Sequence, residues 1–235
     1  MTCNICDWLR TRFGGTADDR CDRLWHMIDN WEREHSNDRD LWDVQSAAHR
    51  ALIDKAKVIE DEDPEAAFNL YRQAADAGSP LAMERVGWHY RWSSPAAVDQ
   101  ALARKYYHRA ICAGSWSATL PYARLLAEAG DLEESEQVLE DGIASNFIPA
   151  YFWLAKLRLA RSKSRGTCRR VRPLLEHASA HGHPGAKRLL AGLMLLGKYG
   201  FRQIPAGFRL VSACSEGDEN WTPPGDGTPT AIRAV

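Results

Sequence analysis

The stretch AFNLYRQAADAGSPLAMERVGWHY, Ala67 to Tyr90, carries most of what decides the fold. Ala67, Leu70, Tyr71, Ala74 and Ala75 recur at offsets of three and four, which places small and apolar side chains on one stripe of a helix. Gly78 ends that helix, and Ser79-Pro80 supplies a cap and a first-turn proline for the next. In this second helix a large residue, Val86, stands beside a small one, Gly87, four and five places after Ala82. Such a pair lets two helices approach closely, so the stretch reads as a packed helix hairpin.

The same arrangement recurs outward along the chain. AICAGSWSA (Ala110 to Ala118), GIASNFIPA (Gly142 to Ala150) and HASAHGHPGA (His177 to Ala186) align with AADAGSPLA (Ala74 to Ala82). The helix-ending residues Gly78, Gly114, Asn146, Gly182 and Gly217 are 36, 32, 36 and 35 apart by subtraction, the period of a helix-pair repeat. Stripes precede each one: Ala103, Tyr106, Tyr107, Ala110 and Ile111; Val138, Leu139 and Ile143; Val171, Leu174, Leu175 and Ala178; and, weakly, Leu210 and Ala213. The large and small pair returns as Tyr122/Ala123, Leu154/Ala155 and Leu190/Ala191. Asp63-Pro64, Ser94-Pro95 and His183-Pro184 repeat the cap-proline start.

The run from Ala67 to Tyr90 resembles the consensus of Sel1-like repeats (SLR), relatives of tetratricopeptide repeats, and the likeness extends over roughly Leu41 to Gly217. Gly197-Lys198-Tyr199-Gly200 is similar to that family's glycine-rich loop. Ala129-Gly130-Asp131-Leu132-Glu133-Glu134 looks more like the shorter tetratricopeptide loop and accounts for the spacing of 32. The resemblance implies an all-α chain, a right-handed α-solenoid of antiparallel helix pairs. Residues 1–39 are expected to form an N-terminal cap, 40–217 the repeat array, and 218–235, rich in Gly, Pro, Thr and Asp, a tail without fixed structure. Within the cap, Leu24, Ile28 and Trp31 form the stripe of a helix from about Asp18 to His35. A helix from about Asp40 to Ile59, with Trp42, Ala48, Leu52 and Ile59 facing inward, would open the first repeat. Trp221 could fold back over the last helix.

Composition narrows the function. Hydrophobic residues make up 45% of the 235 and charged residues 26%, with a net charge of −1, so wholesale binding to nucleic acid or anionic membrane is not expected. No apolar run reaches the ~18 residues of a membrane span, and MTCNICDWLRTR lacks a secretory core, which points to the cytoplasm. Cys3, Cys6, Cys21, Cys112, Cys168 and Cys214 are too scattered for a disulfide framework. Nucleophile-elbow, P-loop, dinucleotide and zincin motifs are missing, which argues against an enzyme.

Two groups could hold a metal. Cys3, Cys6, Cys21 and His26 offer the sulfur and imidazole ligands of a zinc site, although their spacing is irregular and zinc is the one cofactor they admit. His177 and His181 lie four apart, with His183 just beyond. Charge is uneven: seven acids and no base occupy Glu128 to Asp141, whereas thirteen bases and the single acid Glu176 occupy Lys156 to Arg209. RSKSRGTCRR, Arg161 to Arg170, reads as an extended basic loop. Either neighbouring repeats compensate one another or the bases form an anionic-partner surface.

By the tetratricopeptide resemblance, the inner, concave face would present Glu84, Trp88, Arg91, Trp92, Leu120, Arg124, Glu128, Phe152, Lys156 and Arg188. Trp88, Trp92 and Phe152 would anchor a protein segment, acidic or extended, while Arg91, Arg124 and Lys156 read its acidic groups. The function so implied is a non-enzymatic adaptor of bacterial type, a monomer or weak oligomer. An inhibitor or immunity protein for a toxin is the rival interaction role, and a metal-dependent enzyme the rival from another class.

Overall fold

The computed structural model describes residues 17–92 and 98–215, with side chains over 24–92 and 98–212. Among the described residues every regular element is helical. Helices α1 (Ala17–Glu34) and α2 (Asp38–Val44) precede five helix pairs in the described residues. These are α3 (Ala47–Ile59) with α4 (Pro64–Asp76), α5 (Pro80–Trp92) with α6 (Gln100–Cys112), and α7 (Thr119–Ala129) with α8 (Leu132–Ala144). They continue as α9 (Ile148–Arg161) with α10 (Arg165–Ala180), and α11 (Pro184–Leu195) with α12 (Ile204–Ser215), the last preceded by a 3-10 turn at Phe201–Gln203. Contacts divide the chain into a terminal unit, Met1–Glu34 with Tyr151–Val235, and a central unit, His35–Ala150.

Four of the five expected stops are where the chain turns, and Gly217 lies outside the described residues. Gly78, Gly114 and Gly182 take φ of 104°, 95° and 92°, and Asn146 takes 61°, the left-handed conformation that ends a helix. The residue after each donates its N–H five residues back, as in Ser79 to Ala74 (3.0 Å), Ser115 to Ala110 (2.9 Å), Phe147 to Gly142 (2.9 Å) and His183 to Ala178 (3.0 Å). Each of these bonds satisfies a carbonyl that the helix end leaves open. Starts are capped as read: Asp63 accepts from Ala66 N–H (3.0 Å), Ser79 from Ala82 (3.3 Å), and His183 from Ala186 (3.1 Å). Ser94-Pro95 lies outside the described residues.

In the central unit the core is the expected stripe, with Ala67, Tyr71, Ala74 and Ala75 on α4 and Ala103, Tyr106, Tyr107 and Ala110 on α6 buried against Ala82 and Val86. Gly87 is the point of closest approach, since a Cβ there would stand 2.9 Å from Cδ1 of the Tyr107 ring. In the terminal unit Leu154, Ala155, Val171, Leu175, Ala178, Leu190 and Ala191 are buried in the same roles.

Two expectations are corrected. The helix expected over 40–59 is two, because Ser46 caps a new start at His49 N–H (3.2 Å) and Gln45 leaves α2 in extended backbone; the inward residues of α3 are Ile53 and Ala56. Ala48 is exposed. The basic run Arg161 to Arg170 is not an extended loop, because Ser164 caps α10 at Thr167 N–H (3.1 Å) and leaves only 162–164 between helices. In the terminal unit α1 packs on α11.

Candidate partner-binding face

In the central unit α5 carries the expected positions Glu84, Trp88, Arg91 and Trp92, and α7 carries Leu120, Arg124 and Glu128. Arg91 ties the two helices: its guanidinium donates to Pro121 O (2.7 Å) and to Glu128 Oε2 (2.7 Å) while stacking on the Trp92 ring at 4.8 Å. Arg91 is only 6% exposed, so its role as a reader of partner carboxylates is corrected: it is a strut between helices. Trp88 and Trp92 are 42% and 55% exposed, and Arg124 and Glu128 are exposed beside them on α7, with Leu120 half-buried. These side chains form the open part of the face.

Its other end is closed by the chain itself. Asn37 donates to Gly114 O (2.7 Å) and accepts from Trp116 N–H (2.9 Å), pinning the start of α2 to the turn between α6 and α7. Ser117 Oγ lies 2.7 Å from Asp38 Oδ1 and in closer contact with Glu84 Oε2, which Ser115 Oγ also approaches at 3.3 Å. Burial, followed by the charge of Asp38, raises the Glu84 carboxyl to about 7. Glu84 is therefore withdrawn from partner contact, a second correction. Beneath the face the Tyr107 hydroxyl is buried without a hydrogen bond, and burial holds its ionisation well above the usual phenol range.

In the terminal unit the corresponding positions are covered. Phe152 is only 4% exposed; a Cβ built on Gly185 would meet Phe152 Cζ at 2.8 Å and Ile28 Cδ1 of α1 at 2.9 Å. Glu32 of α1 accepts from Trp153 Nε1 (2.6 Å) and from His183 Nε2 (3.3 Å). Because His183 Nδ1 accepts the Ala186 N–H, the proton of this imidazole resides on Nε2. Trp25 stacks on Trp153 at 6.2 Å, and Lys156 Nζ stands 4.2 and 4.3 Å from the two ring centres. Phe152 as an anchor and Lys156 as a reader are thus corrected: α1 occupies their surface. Arg188 is half-buried on α11. The contacts made by α1 escaped the sequence reading because they join residues up to 151 positions apart.

The metal candidates divide. Cys3 and Cys6 lie outside the described residues, as does the side chain of Cys21, and His26 is exposed on α1. His177 stacks on Tyr151 at 4.2 Å and on His181 at 4.4 Å, while His183 turns inward to Glu32, so the three imidazoles do not converge. No group of three or more His, Cys, Asp or Glu that could hold a metal occurs among the described residues. Nor is any described helix long and apolar enough to cross a membrane.

The acidic block is partly neutralised within the central unit: Arg91 pairs with Glu128, and Arg104 pairs with Glu134 (2.9 Å) and Asp131 (2.5 Å).

Helix pairs of this length, ended by left-handed glycines and packed through small residues, define an α-solenoid of the SLR fold, as known structures bear out. A Sel1 repeat protein from Oxalobacter formigenes is similar with a TM-score of 0.59 and 16% identity, over 71% of this chain and 73% of that one. The protective antigen c5321 of uropathogenic Escherichia coli, which displays an SLR fold, is similar with a TM-score of 0.60 and 17% identity over 73% of this chain. This chain spans 39% of that antigen's length. No protein-family model and no curated protein matches the sequence.

Proposed function

We propose that the chain is a non-catalytic protein-interaction scaffold that captures a partner segment on the α5–α7 face of its central unit. The observation that carries this reading is the exposure of Trp88 and Trp92, one helical turn apart, beside Arg124 and Glu128. Large aromatic side chains held on a rigid helix lose little conformational freedom on binding and dominate interface energies, at about 2 kcal/mol or more for a hot spot. Arg91 fixes the Trp92 ring from beneath. Glu128 is engaged by Arg91, so the segment that fits presents apolar side chains to the tryptophans and a carboxylate to Arg124. The SLR fold of the two similar structures supports a scaffold, as does the lack of catalytic motifs in the sequence.

The test is affinity capture from the native cell with the wild-type chain and the Trp92→Ala/Arg124→Ala double variant, partners being identified by mass spectrometry. The variant is expected to keep its helical circular dichroism and melting temperature and to lose the captured partner. A folded variant that retains the same partner at the same yield would sink the assignment.

A further inference from the structure

The last helix presents a second surface of different chemistry. Along the turn Phe201–Gln203 and α12, the exposed positions are Phe201, Arg202, Pro205, Phe208, Arg209 and Ser212. Their spacing of one, three, three, one and three residues traces one solvent-facing stripe of a helix. On that stripe the dipeptide Phe-Arg occurs twice, seven residues apart, once in the 3-10 turn and once in α12. Phe201 is 80% exposed and Phe208 61%. Behind them Gly207 is packed tightly, a Cβ there standing 2.9 Å from Met194 Cβ of α11, so the helix is seated on its neighbour with this stripe outward. From His177 to Ser215 there is no acidic residue, while Lys198, Arg202 and Arg209 supply positive charge around the rings.

We infer that this stripe is a docking surface for an anionic lipid bilayer. Two arguments single out that occupant. On the described positions of the stripe the charge is of one sign, as an acidic headgroup layer requires and as a mixed protein interface usually is not. The rings also project from the helix, where a partner protein would offer most to anchors that fill pockets. A planar interface accepts projecting aromatics between flanking cations, burying the rings near the acyl boundary while arginine stays among the headgroups. The Phe-Arg stripe of α12 is a peripheral membrane contact, separate in residues and in chemistry from the tryptophan face of the central unit.

The experiment is co-sedimentation of the full chain with vesicles of phosphatidylcholine alone and of phosphatidylcholine with 40% phosphatidylserine, at low and at 0.5 M salt. Binding is expected to the anionic vesicles only, weakened by salt. Phe201→Ala/Phe208→Ala and, separately, Arg202→Gln/Arg209→Gln should each lower the partition about tenfold or more. Phe201→Leu/Phe208→Leu should restore most of the loss and guards against a folding artefact, with circular dichroism recorded for each variant. No sedimentation above the lipid-free control, or binding that folded variants of both kinds leave unchanged, overturns the inference. So does capture of a polyglutamate peptide by a protein that ignores the vesicles, which would assign the stripe to an acidic protein instead.

Discussion

Between Asp38 and Glu84 there is one hydroxyl, that of Ser117, close to both carboxyls. A hydroxyl has a single proton to give, so Ser117 serves one of the two carboxyls at a time, while Ser115, 3.3 Å from Glu84 Oε2, offers Glu84 a second donor. The Ser117 hydrogen bond, the Arg85 charge and the Ser115 hydrogen bond favour the carboxylate, but burial and Asp38 outweigh them and the Glu84 carboxyl stands at about 7 instead of 4.5. A carboxyl raised on folding stabilises the fold fully below the lower value and loses that contribution as pH rises through the upper one. The loss therefore falls between about 4.5 and 7 and amounts to on the order of 3 kcal/mol. Glu84→Gln keeps the shape and removes the charge. It is expected to make stability flatter over that window and higher than wild type at pH 8, as read by urea unfolding at pH 5 and 8. A wild-type-like slope in the variant would show that another group titrates.

At the scale of elements, the legible features were the local ones. Gly78, Gly114, Asn146 and Gly182 announce helix ends because the left-handed conformation is tolerated by few residues, and all four adopt it. The pair Val86/Gly87 announces a close crossing because size alone sets how near two helices come. Gly87→Ala tests that crossing: the added methyl gains up to about 1 kcal/mol of helix propensity yet meets the buried Tyr107 ring. A net destabilisation of about 1–2 kcal/mol is expected in thermal or urea melts, and a stabilised variant would mean the ring yields. The break at Gln45-Ser46 is not legible because the helical pattern runs on through the serine cap, nor is the start of α10, because the run of bases around Ser164 obscures its cap. On the candidate face Trp88, Trp92 and Arg124 were legible from register alone. The burial of Arg91 and Phe152 and the engagement of half-buried Glu84 are not, since each is contacted by residues far along the chain and periodicity says nothing of such pairings.

For the molecule as a whole, the two proposed surfaces should be separable. Trp88→Ala/Trp92→Ala is expected to abolish partner capture while vesicle sedimentation stays within twofold of wild type, and Phe201→Ala/Phe208→Ala to do the reverse. Loss of both activities in either folded variant would show that one surface serves both. The partner segment will need to suit the central unit, because the terminal unit has filled its corresponding positions with α1 through Ile28, Glu32 and Trp25. A helix belonging to the same chain is a tethered competitor, present at an effective concentration on the order of millimolar. Any foreign segment aimed at Phe152 and Lys156 would bind only the fraction of molecules in which α1 has let go, and its apparent affinity would fall by that fraction.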